Sequence, residues 1–266
     1  MKKIFLFCIL LTLMPIICLG DNEVFVVKEI SLEMVKCSAG SFMMGSPEDE
    51  IGRFGNEQLH KVTFTKPFYI GKYEVTQNQF VALMGSNPSL FLEDNNPVET
   101  LSYDEAKAFC NKLNVKYANI LPQGYKFDLP TESQWEYACR AGTNTALNNG
   151  KNLTSEEFPC QNLDEVAWYY KNESEPTHIV GQKKPNAWGI YDMHGNVWEW
   201  CRDWYGDYTS EEVVDPNGAD EGSRRVFRGG SCASRVNFCR SAIRLSSSPD
   251  TRRPDLGFRV ALVQID

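Results

Sequence analysis

"MHGNVWEWCRDWYGDY", residues 193–208, places three of the chain's six tryptophans within seven positions and sets Glu199, Asp203 and Asp207 among them. An amphipathic helix separates apolar from acidic side chains with a period of 3.6, and a half-buried strand does so with a period of 2. This stretch follows neither rule cleanly. Three readings stay open for it: a packing core, a metal loop, or the wall of a binding site. Its surroundings add little regularity, because residues 141–225 are rich in Asn, Gly, Pro and Asp and show little periodicity. Irregular segments of that length in a compact domain are functional, or are held by ions, bridges or packing.

Regular elements are expected on both sides of it. Thr76 can cap a helix running to about Met84, with Phe80, Leu83 and Met84 on one side. Ser102 and Glu105 have capping-box spacing ahead of Ala106, Phe109, Cys110 and Leu113, and Thr131 and Gln134 repeat it ahead of Trp135, Ala138 and Cys139. Short strands are expected at 24–28, 33–36, 41–44, 61–65, 68–70, 225–228 and 257–263. The class is α+β, a single irregular, loop-rich domain over residues 21–266.

Residues 1–20 stand apart from that domain. Lys2 and Lys3 precede an apolar run from Ile4 to Ile17, and Cys18-Leu19-Gly20 ends on a small residue. That order predicts a cleaved signal peptide and an exported protein, periplasmic or extracellular. A lipid anchor on Cys18 is the minor alternative, since Ile17 stands where a small residue is expected. No other apolar run is long enough to span a bilayer.

The chain carries 27 basic and 35 acidic residues, a net charge of −8. The signal holds Lys2 and Lys3 and no acid, so the mature charge is −10. The charge argues against nucleic acid as a partner, because phosphates require Lys and Arg for neutralisation, and against anionic membrane surfaces for the same reason. Beyond the signal lie Cys37, Cys110, Cys139, Cys160, Cys201, Cys232 and Cys239, an odd number that leaves at least one thiol free or intermolecular.

Seven segments in order carry a family resemblance: "GSFMMGS" (40–46), "KPFYIGKYEVTQNQF" (66–80), "NPVETLSYDEAKAFCNKLN" (96–114), "DLPTESQWEYACRAG" (128–142), "KPNAWGIYDMHGNVWEWCRDWY" (184–205), "FRGGS" (227–231) and "DLGFRVA" (255–261). Together they resemble the formylglycine-generating enzyme, or sulfatase-modifying factor, family over about residues 33 to 263. The resemblance implies an irregular α+β fold related to C-type lectins. It also implies one of two activities. The founding members oxidise a sulfatase cysteine to formylglycine with copper and molecular oxygen, whereas other members look like binding modules. The iron-dependent sulfoxide synthases of the family use an additional helical domain for which this chain has no room, and His60, His178 and His194 are widely scattered.

Cu(I) takes soft thiolate ligands. In oxidases of the family the two cysteines stand three and eight positions after the serine of Gly-Gly-Ser. Counted from Ser231, these positions are Ser234 and Cys239, and Cys232 is only one position beyond the serine. The oxidase reading therefore assigns the catalytic role to Cys232 and Cys239, with Ser231 and Trp198 matching residues that line the oxygen and substrate pocket. Core packing is the competing reading for Trp198, and a glycine turn for Ser231. Cys110 and Cys139 match half-cystines of the oxidases, but the partner positions fall at Val260 and Ser241. Both are then expected as buried helix thiols, with Cys201–Cys239 as a replacement bridge.

The resemblance also assigns a calcium site to Asp192, Gly195, Val197 and Glu199, with the glycine and valine contributing backbone carbonyls. Hard cations of this kind take six to eight oxygen ligands in flexible geometry. The alternative is that Asp192 and Glu199 cap turns or pair with an arginine such as Arg228 or Arg259. The expected function is a calcium-stabilised module that presents a groove to a peptide or protein partner, with an altered cysteine site. The copper oxidase acting on a sulfatase is the alternative, and a structural envelope component the third.

Overall fold

The computed structural model describes residues 16–19, 22–170 and 176–265. The expected signal, residues 1–20, lies outside these except for Ile16–Leu19, which runs antiparallel to Asn22–Val27. No helix among the described residues is long and apolar enough to cross a membrane.

Three helices form where the capping boxes predict them. Helices α1 (Gln77–Met84), α2 (Tyr103–Lys116) and α3 (Glu132–Arg140) begin at Thr76, Ser102 and Thr131. Each N-cap hydroxyl accepts the N–H three residues on, and each box side chain accepts the cap's own N–H. Two otherwise orphaned donors are satisfied at each helix start. The apolar faces of α1 and α2 meet through Phe80 stacked on Phe109, ring centres 5.6 Å apart.

The largest sheet has six antiparallel strands in the order Ile16–Leu19, Asn22–Val27, Leu32–Cys37, Phe68–Gly71, Ala261–Gln264, Tyr125–Asp128. The expected strand at 257–263 is thus two strands, because Leu256–Gly257 belongs to a second sheet with Trp198–Trp204, Arg225–Arg228 and Arg244–Ser247. A third sheet holds Gly40–Met44, His60–Phe64 and Val213–Val214.

The opening stretch is a strand after all. Trp198–Trp204 lies inside the second sheet, antiparallel to Arg225–Arg228 and parallel to Leu256–Gly257, so it is paired along both edges, and side chains on both of its faces are buried. Trp198 and Trp200 turn to an apolar cluster where both meet Phe227 edge-on. Glu199, Cys201 and Asp203 turn the other way and are also buried. The period of 2 is present, but its polar side faces charged protein groups instead of water.

The seven cysteines beyond the expected signal are free. The expected Cys201–Cys239 bridge is therefore corrected: Cys201 packs with Trp135, Cys139 and Val226, whereas Cys239 packs in a different cluster with Cys160 and Leu163. Cys110 and Cys139 are buried thiols on α2 and α3, as expected.

Candidate functional site

The loop leading into the central strand turns through three left-handed residues, Asp192 (φ 56°), Gly195 (φ 82°) and Asn196 (φ 58°). Only glycine fits at 195, because a Cβ there would stand 1.9 Å from the Trp168 carbonyl oxygen. The loop is clamped by Glu74, whose carboxylate accepts from Asn196 Nδ2 at 2.6 Å and from the Val197 N–H at 3.1 Å. Glu74 lies more than a hundred residues upstream in "YEVT", where no local spacing marks it.

Glu199 receives Arg259 Nε on Oε2 and Nη2 on Oε1, both at 2.6 Å, and Trp135 Nε1 on Oε2 at 2.7 Å. Of the two arginines named as partners, Arg259 is the one that binds it. Arg228 instead donates to Glu132 Oε1 at 2.8 Å and to Glu136. A carboxylate offers about four lone-pair sites, so one on Glu199 Oε1 remains. Asp192 Oδ2 accepts the Gly181 N–H at 2.6 Å, while its Oδ1 is buried and unpartnered. Burial, with Glu199 adding repulsion, lifts Asp192 to about 6. Burial together with Asp192 and Glu199 raises Glu74 well above its usual range. Three buried carboxyls thus share one guanidinium, and one of their oxygens has no donor. The unpartnered Asp192 Oδ1 and the open lone pair on Glu199 Oε1 are oxygen donors of the kind a hard cation takes. No group of three or more His, Cys, Asp or Glu side chains among the described residues forms a metal cluster.

The Gly-Gly-Ser turn follows the strand Arg225–Arg228, with Gly229 and Gly230 both left-handed. Ser231 is fully buried and its hydroxyl donates to Asp255 Oδ2 at 2.9 Å. Ser234 Oγ lies 3.0 Å from Ser231 Oγ and accepts the Ser231 N–H at 3.0 Å. Arg253 completes the group with Nε and Nη2 on the two Asp255 oxygens, at 2.9 and 2.8 Å.

Cys232 and Cys239 are both buried in the turn beyond it. The Cys232 N–H donates to the Asn196 carbonyl at 2.8 Å, and Cys239 Sγ lies 2.7 Å from where a Gly230 Cβ would stand. Burial pushes the Cys232 thiol up to about 12 and Cys239 higher still. Trp198 is buried in the apolar cluster.

His194 is a core group. Its Nε2 accepts the Asn148 N–H at 3.0 Å, so Nδ1 donates to the Cys239 carbonyl at 2.9 Å, and burial drives the ring down to about 3. It stays neutral at ordinary pH. Cys139 Sγ lies 3.5 Å from Ser241 Oγ, which places the serine where the resemblance puts the missing half-cystine.

Beside the turn, Glu156, Glu157, Phe158, Tyr170, Arg235 and Val236 line a concavity of about 260 Å3. Phe158 and Tyr170 are 45% and 40% exposed there. Its floor is tied to the serine cluster, since the Tyr170 N–H donates to the Ser234 carbonyl at 3.0 Å.

Comparison with known proteins fits this arrangement. Residues 27–263 match the family described as "Sulfatase-modifying factor enzyme 1-like domain". The chain belongs to the sulfatase-modifying factor family. Its fold is that family's mixed domain related to C-type lectins. It is 32% identical to a Paenibacillus barcinonensis protein named "Chaperone protein LppX", over 73% of this chain and 79% of that one. It is 26% identical to the mouse formylglycine-generating enzyme, over 86% of this chain and 74% of the enzyme. Among solved structures, Treponema denticola variable protein 1 superimposes with a TM-score of 0.78 at 32% identity, covering 91% of this chain and 99% of that one.

Proposed function

We propose that this sulfatase-modifying factor relative is an exported binding or accessory module, stabilised by calcium, and that it does not oxidise cysteine. The observation that carries the reading is Ser234. It stands where the family's oxidases have their first copper cysteine, and its hydroxyl is committed to Ser231 within the Ser231–Asp255–Arg253 group. A hydroxyl is a poor ligand for Cu(I). Cys232 is displaced by two positions, and the chain turns between it and Ser234 through the 2.9 Å bond from the Ser234 N–H to the Ser231 carbonyl.

What the region offers instead is the aromatic concavity beside that turn. Exposed Phe158 and Tyr170, with Arg235 and two glutamates, supply apolar anchors and charges of both signs, and Tyr and Arg are among the residue types that dominate protein-binding energetics. The ligand is then an extended peptide or an exposed segment of a protein, with a sulfatase among the candidates. The likeness to a protein named as a chaperone supports an accessory role. Calcium would sit on Asp192, Glu199 and the Gly195 and Val197 carbonyls, where it neutralises the carboxyl excess and fixes the loop entering the central strand.

A fluorescent cysteine-containing peptide with a sulfatase motif, titrated with and without Cu(I), tests this. The expected result is one affinity in both conditions, weakened at least tenfold by the double variant Phe158→Ala, Tyr170→Ala. Binding that requires Cu(I) and survives the double variant would reverse the assignment.

A further inference from the structure

A second cavity, of about 230 Å3, lies away from both sites. It opens between the strands Gly40–Met44 and His60–Phe64, the start of α3, the end of the central strand and the irregular segment 205–219. Met44, Trp204, Val213 and Ala219 give it an apolar wall, and Asp203 and Asp207 contribute carboxylates. At about 30 Å3 per water in the liquid, the volume suits a ligand of few heavy atoms.

The charges are unevenly matched. Arg244 lines the cavity, but its Nε and Nη2 are bound to Glu132 at 2.8 Å each. Arg228 is committed to Glu132 and Glu136, and Arg202 to Asn217. Asp203 is 96% buried and has one hydrogen bond, the Glu132 N–H on Oδ2 at 2.8 Å. Its Oδ1 has no donor among the described residues. Glu132, Arg244, Arg202, Asp207, Tyr208 and His60 are the ionisable groups around it. Of these, Arg244 and Arg202 are the permanent cations, and the first is spent on Glu132.

We infer that this cavity binds an alkylammonium group, with the ammonium on Asp203 and its alkyl chain along Met44, Trp204 and Val213. The group could be a free small amine or the lysine side chain of a protein partner, which present the same chemistry. A metal ion suits the cavity poorly, because a hard cation takes six to eight oxygen ligands and the apolar wall leaves few beyond the Asp203 and Asp207 carboxylates. Burial and the neighbouring Glu132 charge lift the Asp203 carboxyl to about 7. An ammonium binds the ionised form, so affinity rises with pH through that value and levels off above it.

Calorimetric or NMR titration of the full chain in amine-free buffer would use n-butylammonium, with n-butanol and butyrate as matched neutral and anionic probes. The expected order is n-butylammonium at least tenfold tighter than either, with its affinity falling about tenfold between pH 7.5 and pH 6. Asp203→Asn keeps an oxygen for the Glu132 N–H, so it should fold, and it should lose at least tenfold in affinity. Ala219→Phe fills the cavity while leaving the carboxylate, and should abolish binding. N-acetyl-lysine amide binding as tightly as n-butylammonium assigns the site to a partner's lysine, and binding of n-butylammonium alone assigns it to a free amine. Equal affinity for n-butanol, a flat pH profile in the wild type, or unchanged binding in Asp203→Asn would each overturn the inference.

Discussion

Replacing Arg259 by Met is expected to remove about 3–5 kcal/mol of folding stability at pH 7 in the presence of a chelator, measured by denaturant unfolding. The guanidinium is fully buried and closes on both oxygens of Glu199, and it also donates to the carbonyls of Gly71 and Tyr191 at 2.9 and 3.1 Å. Methionine replaces part of the volume but none of the charge. Glu74, Asp192 and Glu199 then remain as buried carboxyls held only by neutral donors, and an unpaired buried charge is costly.

The pH dependence has a definite sign. Burial already raises Glu74 and Asp192, and Arg259 is one of the groups that holds both down. Its removal raises them further, so the folded variant holds more protons than the unfolded chain. Its stability should therefore increase as pH falls from 8 to 5, and the loss relative to wild type should shrink. Calcium at a hundredfold excess over its dissociation constant should return about 2.7 kcal/mol to either protein. A loss independent of both pH and calcium would remove the cation site from the account.

Glu132→Ala is the second large effect, again about 3–5 kcal/mol. Glu132 opens α3 and joins Arg228 to Arg244, both of them fully buried. Deleting it leaves two guanidiniums competing for what remains. Burial alone would raise the Glu132 carboxyl, but Arg244 and Arg228 outweigh it and hold the group below its ordinary 4.5. A depressed carboxylate contributes stability that is complete above the unfolded value and is lost as pH falls through the folded one. Wild type and variant should accordingly converge below about pH 4.5, the ordinary value of the group. A difference that stays constant from pH 7 to pH 3 would mean that the effect is packing, not charge.

These two residues show what the sequence conceals. The helix starts were legible because a capping box is local: Thr76 with Gln79, Ser102 with Glu105, and Thr131 with Gln134 lie three residues apart in chain and in space. The partners of the central strand are not local. Glu199 meets Trp135 and Arg259, some sixty residues away in each direction, and Asp203 meets the start of α3. Its acidic residues therefore looked misplaced for a strand, although Trp198 and Trp200 do alternate with Glu199 and Cys201. The same limit applies to the cysteines. The absence of a family partner for Cys139 could be read by counting to Ser241, which lies 3.5 Å away. The replacement bridge from Cys201 to Cys239 had no such guide, and the two thiols belong to separate clusters.

Oxygen consumption tests the central claim most directly. Purified protein, loaded with Cu(I) and given a sulfatase-motif cysteine peptide, would be followed with an oxygen electrode, and the peptide by mass spectrometry for aldehyde. No consumption above the copper-only control and no aldehyde are expected, with Cys239→Ser indistinguishable from wild type. Aldehyde formation by the wild type that disappears in Cys239→Ser would contradict that claim and return the chain to the oxidases of its family.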